Sequence, residues 1–227
     1  MDFMKLLKSL DDFLYEVVGW IVFYPITMVR SVFHPIAMLR YSDVELSEAE
    51  EEQYTDTLNP PIFLLITLFL VYVLGKLVLP ELRNAQVPAF LSTDANMLLF
   101  RGVTFSIFPV LMAVNLLRHQ GKRIDRRTLR APFYGQCFIT APFALVASSA
   151  ATIIGFHNSA YVLAGLALFL IALVWYIGVE IQWFSSTIAI SKKRAAWNVL
   201  GVVVFTNLLV FSVLLGIVYM AHPEAFR

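Results

Sequence analysis

The sequence predicts an all-α, polytopic integral membrane bundle. It has five transmembrane helices, an N-terminus in the cytoplasm, a C-terminus outside and an interfacial amphipathic N-terminal region. Three observations carry this reading. Hydrophobic residues make up 59% of the 227 and charged residues 15%, where soluble domains average ~45–50% and about 25%. Several stretches long enough to cross a bilayer lack Asp, Glu, Lys and Arg. The basic residues gather in a few segments between those stretches. Such a chain is too apolar to be disordered. Its single cysteine excludes a disulfide framework and multi-cysteine zinc patterns. A formal net charge of +1 provides no global field for nucleic acid, and no nucleic-acid partner is expected.

Crossing a ~30 Å hydrocarbon core takes about 20 residues of helix. Residues 1–41 fall short of that. Their longest uncharged run is Val17 to Val29, it contains Pro25, and Arg30, His34 and Pro35 break the stretch after it. This segment is read as amphipathic helices lying on or dipping into one leaflet, with a sixth, broken span as the alternative. Phe3, Leu6, Leu7 and Leu10 share a face at helical spacing. A compact basic start and a small-residue cleavage site are missing, so a cleavable signal peptide is not expected.

Residues 42–60 form an acidic segment, with Asp43, Glu45, Glu48, Glu50, Glu51, Glu52 and Asp56. It reads as a solvated cytoplasmic linker or as a docking surface for a basic partner. The transmembrane domain occupies 61–221. Span one runs from Pro61 to Leu79, opened by Asn59-Pro60-Pro61, where a missing proline N–H costs nothing. Span two runs from Asn96 to Leu117 and carries Arg101 near its start, placed to snorkel to the headgroups or to meet Asp94. Ala131 to Val179 holds no Asp, Glu, Lys or Arg and is too long for one crossing. A turn at His157-Asn158-Ser159 divides it into spans three (Pro132 to Phe156) and four (Ala160 to Ile188). Span five runs from Ala195 to Ala221, and a short tail, 222–227, begins just before Pro223.

The basic residues set the orientation. Arg118, Lys122, Arg123, Arg126, Arg127 and Arg130 fall between spans two and three, and Lys192, Lys193 and Arg194 between spans four and five. With Lys5, Lys8, Arg30 and Arg40 they lie on one side, which the positive-inside rule makes cytoplasmic. The two basic loops are candidate lipid- or partner-binding segments, since each cation near an anionic surface is worth ~1 kcal/mol.

One acid lies well inside a span. Glu180 sits about 15 Å from the cytoplasmic end of span four. Intramembrane acids are expensive and are functional candidates by default. By depth, Gln136, Asn115 and Asn207 lie in the same inner half of the bundle. The four residues are predicted to converge, either as a protonatable or cation-binding site or as a hydrogen-bonded knot that fixes packing. Small residues recur at four-residue spacing in span three (Ala144, Ser148, Thr152; Ala147, Ala151, Gly155). Ala160, Ala164 and Ala167 are the expected facing surface, for packing or for dimerisation. The four histidines are scattered without metal-ligand spacing, and no nucleophile-elbow or phosphate-loop motif occurs. No enzymatic activity, cofactor or metal is expected.

Three segments resemble the Yip family of Rab-interacting membrane proteins, its bacterial, permease-labelled relatives in particular. Phe23-Tyr24-Pro25-Ile26-Thr27-Met28-Val29-Arg30 is a proline-bearing lead-in before a span opened by Pro-Pro. Phe133-Tyr134-Gly135-Gln136-Cys137-Phe138-Ile139-Thr140-Ala141-Pro142 is similar to the family's third helix. Trp175-Tyr176-Ile177-Gly178-Val179 with Ile190-Ser191-Lys192-Lys193-Arg194-Ala195 is similar to its fourth helix and following turn. The long tail and Asp-Leu-Tyr-Gly-Pro signature of eukaryotic members are missing, so Rab binding does not carry over. The resemblance implies a five-helix fold and a non-enzymatic, membrane-organising or partner-binding role as a scaffold or accessory subunit. The expected home is a bacterial inner membrane, with the lipid bilayer, anionic lipid, and a protein partner or second copy as partners. The competing expectation is a small transporter or channel with Glu180 in a proton- or cation-coupled pathway.

Overall fold

Proline and capping side chains punctuate the chain into helices. In the computed structural model, which describes residues 3–49, 51–78, 93–155 and 159–221, these are α1 (Phe3–Phe33), α2 (Pro35–Glu45), α3 (Pro60–Val78), α4 (Asp94–His119), α5 (Arg126–Ile154), α6 (Ser159–Ile188) and α7 (Lys192–Ala221). No strand occurs among the described residues. Pro35 lacks the N–H that would continue α1 and holds His34 outside the helical region, at φ −128° and ψ 50°. Pro60 begins α3. The Asp125 side chain accepts from the N–H groups of Arg127 and Thr128 while the Thr128 hydroxyl accepts from the Asp125 N–H, a reciprocal cap that starts α5.

The chain is an integral membrane protein by composition and helix length. Among the described residues six helices, rather than the predicted five, are long and apolar enough to cross a bilayer: α3 to α7, and α1 over Leu7–Phe33. The N-terminal segment is one unbroken helix up to Phe33: Pro25 removes a single backbone hydrogen bond, and of the charged residues only Arg30 follows it, in the last turn. The helices replacing the five predicted spans start and end within a few residues of expectation, except that α5 begins at Arg126 and so carries half of the basic loop. The expected features at 79, 83, 156–158 and 222–227 lie outside the described residues.

Helix α5 is the hub. It packs against α1, α2, α3, α4 and α6, while α7 leans on α6 and α4. Its face is buried without interruption from Gly135 to Ala144. Two aromatic groups flank it. At one end Phe138 meets Tyr41, Tyr54 and Phe63, with ring centroids 6.1–6.3 Å away. Deeper along the helix, Phe143 meets Phe108, Phe169 and Tyr176.

Small residues bring α6 close, at a different position from the one predicted. Ala160, Ala164 and Ala167 are exposed. The contact is made by Gly165, where an added Cβ would stand 2.6 Å from Ile154 Cγ1 and 2.9 Å from the Ala150 carbonyl oxygen. Gly135 has the same role toward α2, with Leu39 backbone oxygen 3.2 Å from where a Cβ would be.

Helix α1 makes its polar contacts near the end of the bundle where α3 begins. Arg30 pairs with Asp56 at 2.7 Å. Glu16 shares a cavity of about 710 Å³ with Glu51, Gln53, Leu58 and Arg130. Glu16 and Arg30 are about 21 Å apart on a helix rising about 1.5 Å per residue, yet both face the same short segment. Between these points Tyr24 donates to the Thr67 hydroxyl, and Thr27 accepts from the Leu58 N–H.

The acidic segment is folded onto this end rather than strung out as a linker. Tyr54 turns the chain with φ 56° and is buried, its N–H held by the Glu45 carboxylate. The Tyr41 hydroxyl donates to Asp56 at 2.5 Å. Asp43, Glu48, Glu51 and Glu52 remain exposed.

Candidate functional site

Two helices build a polar site inside the bundle. α5 and α6 run antiparallel, so a residue one turn onward on α5 lies level with a residue one turn back on α6. Gln136 and Thr140 stand four apart on α5, Tyr176 and Glu180 four apart on α6, and each pair shares a helix face. Gln136 Nε2 donates to Glu180 Oε2 at 3.0 Å. Thr140 lies beside the Tyr176 hydroxyl, which also faces Glu180. All four residues are at most 1% exposed. Four oxygens here make no hydrogen bond: Gln136 Oε1, Thr140 Oγ1, Tyr176 Oη and Glu180 Oε1.

The surroundings are apolar and aromatic. The Tyr176 ring packs 4.9 Å from Phe143 and 6.2 Å from Phe108, and Val179, Trp183 and Phe184 are buried on the same helix. No basic side chain pairs with Glu180 among the described residues. A buried carboxyl without a counter-ion is expensive unless hydrogen bonds satisfy it. The chemistry available is therefore that of acceptors and exchangeable protons in a closed space. No group of three or more His, Cys, Asp or Glu is placed to hold a metal ion among the described residues.

Two predicted members of this site are elsewhere. Asn207 is exposed on α7 and donates to the Val203 carbonyl of its own helix at 2.8 Å. Its neighbour Thr206 takes the inward position. Asn115 lines a groove between α4 and α7, with its Nδ2 buried and without a partner. Tyr176 escaped the sequence reading, although it stands one helical turn before Glu180 on the same face.

Of the two expectations for Arg101, snorkelling and a meeting with Asp94, the structure bears on the second. Its guanidinium lies 5.8 Å from the Tyr72 ring centroid, while Asp94, the alternative partner, pairs with Lys76.

All nine basic-loop residues are exposed: Arg118, Lys122, Arg123, Arg126, Arg127 and Arg130, and Lys192, Lys193 and Arg194. They occupy the same end of the bundle as α2 and the acidic segment. Arg126, Arg127 and Arg130 line a cavity of about 550 Å³ with Asp43, Leu46 and Ser47, and Arg130 stacks over Tyr134 at 5.4 Å. Asp43 keeps an exposed surface, but protein packed around its carboxyl displaces water and raises it above its ordinary value, and Lys122 opposes that. Burial pushes Asp56 the same way, but the bonds from Tyr41 and Arg30 outweigh it and hold that carboxyl below the usual carboxylate range.

No family model matches this chain, and no curated protein or solved structure is significantly similar to it.

Proposed function

We propose that this protein is a non-enzymatic, membrane-organising or partner-binding integral membrane protein, a Yip-like scaffold or accessory subunit of a bacterial inner membrane. The observation that carries the reading is the inside-out construction of α1. Its buried residues are the polar Thr27 and Ser31, while Phe13, Leu14, Val18, Ile21, Val22 and Val29 are more than half exposed. A helix that turns its apolar side away from the protein fits insertion into one leaflet. In this reading five helices cross, α1 rests at the cytoplasmic surface beside both basic loops, and the exposed acids and arginines meet a partner or anionic lipid there.

Conduction through Glu180 is the less supported alternative. The carboxyl is sealed among aromatic side chains, and its hydrogen-bond partner is an amide that closes the gap between two helices.

Vesicle reconstitution tests both. The intact chain is expected to shift the diameters of phosphatidylglycerol-containing vesicles, imaged by electron cryomicroscopy, and Val18→Glu with Ile21→Glu is expected to abolish the shift. Equal vesicle sizes with both proteins overturn the proposal. Proton flux, followed with an enclosed pH dye, is expected to be absent for both the chain and Glu180→Gln. A flux that this substitution abolishes replaces the proposal with the transport reading.

A further inference from the structure

The uncharged run of α5 begins at Ala131, directly after Arg130. Arg126 and Arg127 stand four and three residues before Arg130, so the three share one helix face. Arg126 lies about 6 Å outward of Arg130 along the axis. With the hydrocarbon entered at Ala131, the first turn of α5 stands at the depth of the lipid headgroups. All three arginines are exposed, and all three line the cavity of about 550 Å³ between α5 and the end of α2.

Their charge is unanswered. Among the described residues none of the three guanidiniums makes an ion pair or donates a hydrogen bond. Arg130 only stacks over Tyr134. The acids close by are engaged elsewhere or stand apart. Glu45 holds the Tyr54 N–H, and Asp56 holds Arg30 and Tyr41. Glu16 and Glu51 share the cavity on the other side of Arg130 but do not pair with it. The one carboxylate lining the arginine cavity is Asp43. Three guanidiniums against one carboxylate leave two positive charges over, and Lys122, which attracts Asp43 from a neighbouring cavity, adds to that surplus.

A guanidinium grips a phosphate through two parallel N–H donors. Basic pockets at the cytoplasmic ends of membrane helices suit headgroups with more than one phosphate. We propose that Arg126, Arg127 and Arg130 form a binding site for the headgroup of diphosphatidylglycerol, whose two phosphates match the surplus charge. The proposal rests on the reading of the basic loops as cytoplasmic contacts for anionic lipid, and it gives that contact one place and one lipid.

Native mass spectrometry of the whole chain, released from detergent with equal amounts of diphosphatidylglycerol and phosphatidylglycerol, tests the site. One diphosphatidylglycerol is expected to be retained in at least threefold preference, at a collision energy that strips the rest. Arg126→Gln with Arg127→Gln is expected to remove the preference. Lys192→Gln with Lys193→Gln, an equal loss of charge outside the cavity, is expected to keep it. Equal losses from the two double variants indicate diffuse surface charge and overturn the proposal, as does equal retention of both lipids by the intact chain. Asp43→Asn is expected to strengthen retention at least twofold, a gain that misfolding does not imitate; unchanged or weaker retention overturns the proposal. Inorganic pyrophosphate and polyglutamate, each at the concentration of the lipid, are expected not to displace it. Displacement by the first indicates a free-anion site and by the second a site for an acidic protein segment, and either overturns the proposal. Val18→Glu with Ile21→Glu, which tests leaflet insertion by α1, is expected to leave retention unchanged, so failure of the site and failure of that reading give different results. Lost retention in that variant puts the lipid on α1 and overturns the site.

Discussion

A single carboxyl on α6 and a single amide on α5 account for the polar contact in the bundle's interior, and substitution can separate their contributions. Glu180→Gln keeps an acceptor for Gln136 Nε2 and is expected to change stability little. Glu180→Leu strands that donor in a closed space and is expected to lower stability by about 1–2 kcal/mol, within the range for hydrogen bonds between membrane helices. Unfolding in mixed micelles with increasing dodecyl sulfate measures the difference. Equal losses for both substitutions rule out the hydrogen bond as the source. This pair was legible in the sequence because depth along a span can be counted from its end. Asn115 and Asn207 were misassigned for the same reason: counting fixes height but not rotation. Each residue turns about 100° from the last, and Asn207 faces out because Thr206 faces in. At the bundle end, Asp56 has a folded value below that of an unfolded carboxylate. Its contribution is complete above about pH 4, the unfolded value, and is lost as pH falls through the lower, folded one. Attachment of α1 is expected to loosen below about pH 4 and not on the alkaline side. Fluorescence of a variant keeping only Trp20 measures this, and Asp56→Asn is expected to remove the transition.

At the scale of elements, close approach of α5 and α6 depends on one residue without a side chain. Gly165→Leu must displace Ile154 and the Ala150 carbonyl, and the second belongs to a helix backbone that cannot swing aside. A loss of about 1–3 kcal/mol is expected, against little change for Ala164→Leu on the exposed face. The same unfolding assay reads both. Repeats of small residues announced this contact in the sequence, but several registers satisfied the spacing, and only packing chooses Gly165 over its alanine neighbours. The crossing helices were readable because uncharged length is a direct consequence of the hydrocarbon slab. Helix α1 was harder. Proline and scattered charges argue against a continuous helix in an isolated segment, yet contacts from Thr67, Leu58 and Asp56 hold it in place. None of these is near it in sequence.

For the whole molecule, orientation can be measured with introduced cysteines, because the native one leaves a silent background. Cys137 is fully buried, and an impermeant maleimide is expected to leave the native chain unlabelled. Cysteines introduced at Lys193 and at Thr93 are expected to react from opposite sides of the membrane, Lys193 from the cytoplasm. A third, at Ser9, separates the two readings of α1. Reaction from the Lys193 side supports a helix lying on the surface, and reaction from the Thr93 side a sixth crossing.

The central place of α5 also imposes an order in time. α3 and α4 leave the ribosome before α5, but they meet each other far less than each meets α5. Until α5 is inserted, both have apolar faces matched only to lipid and no stable neighbour. Nascent chains that stop short of residue 126 are therefore expected to be cut by added protease more readily than chains that include all of α5, the helix against which every earlier long segment packs.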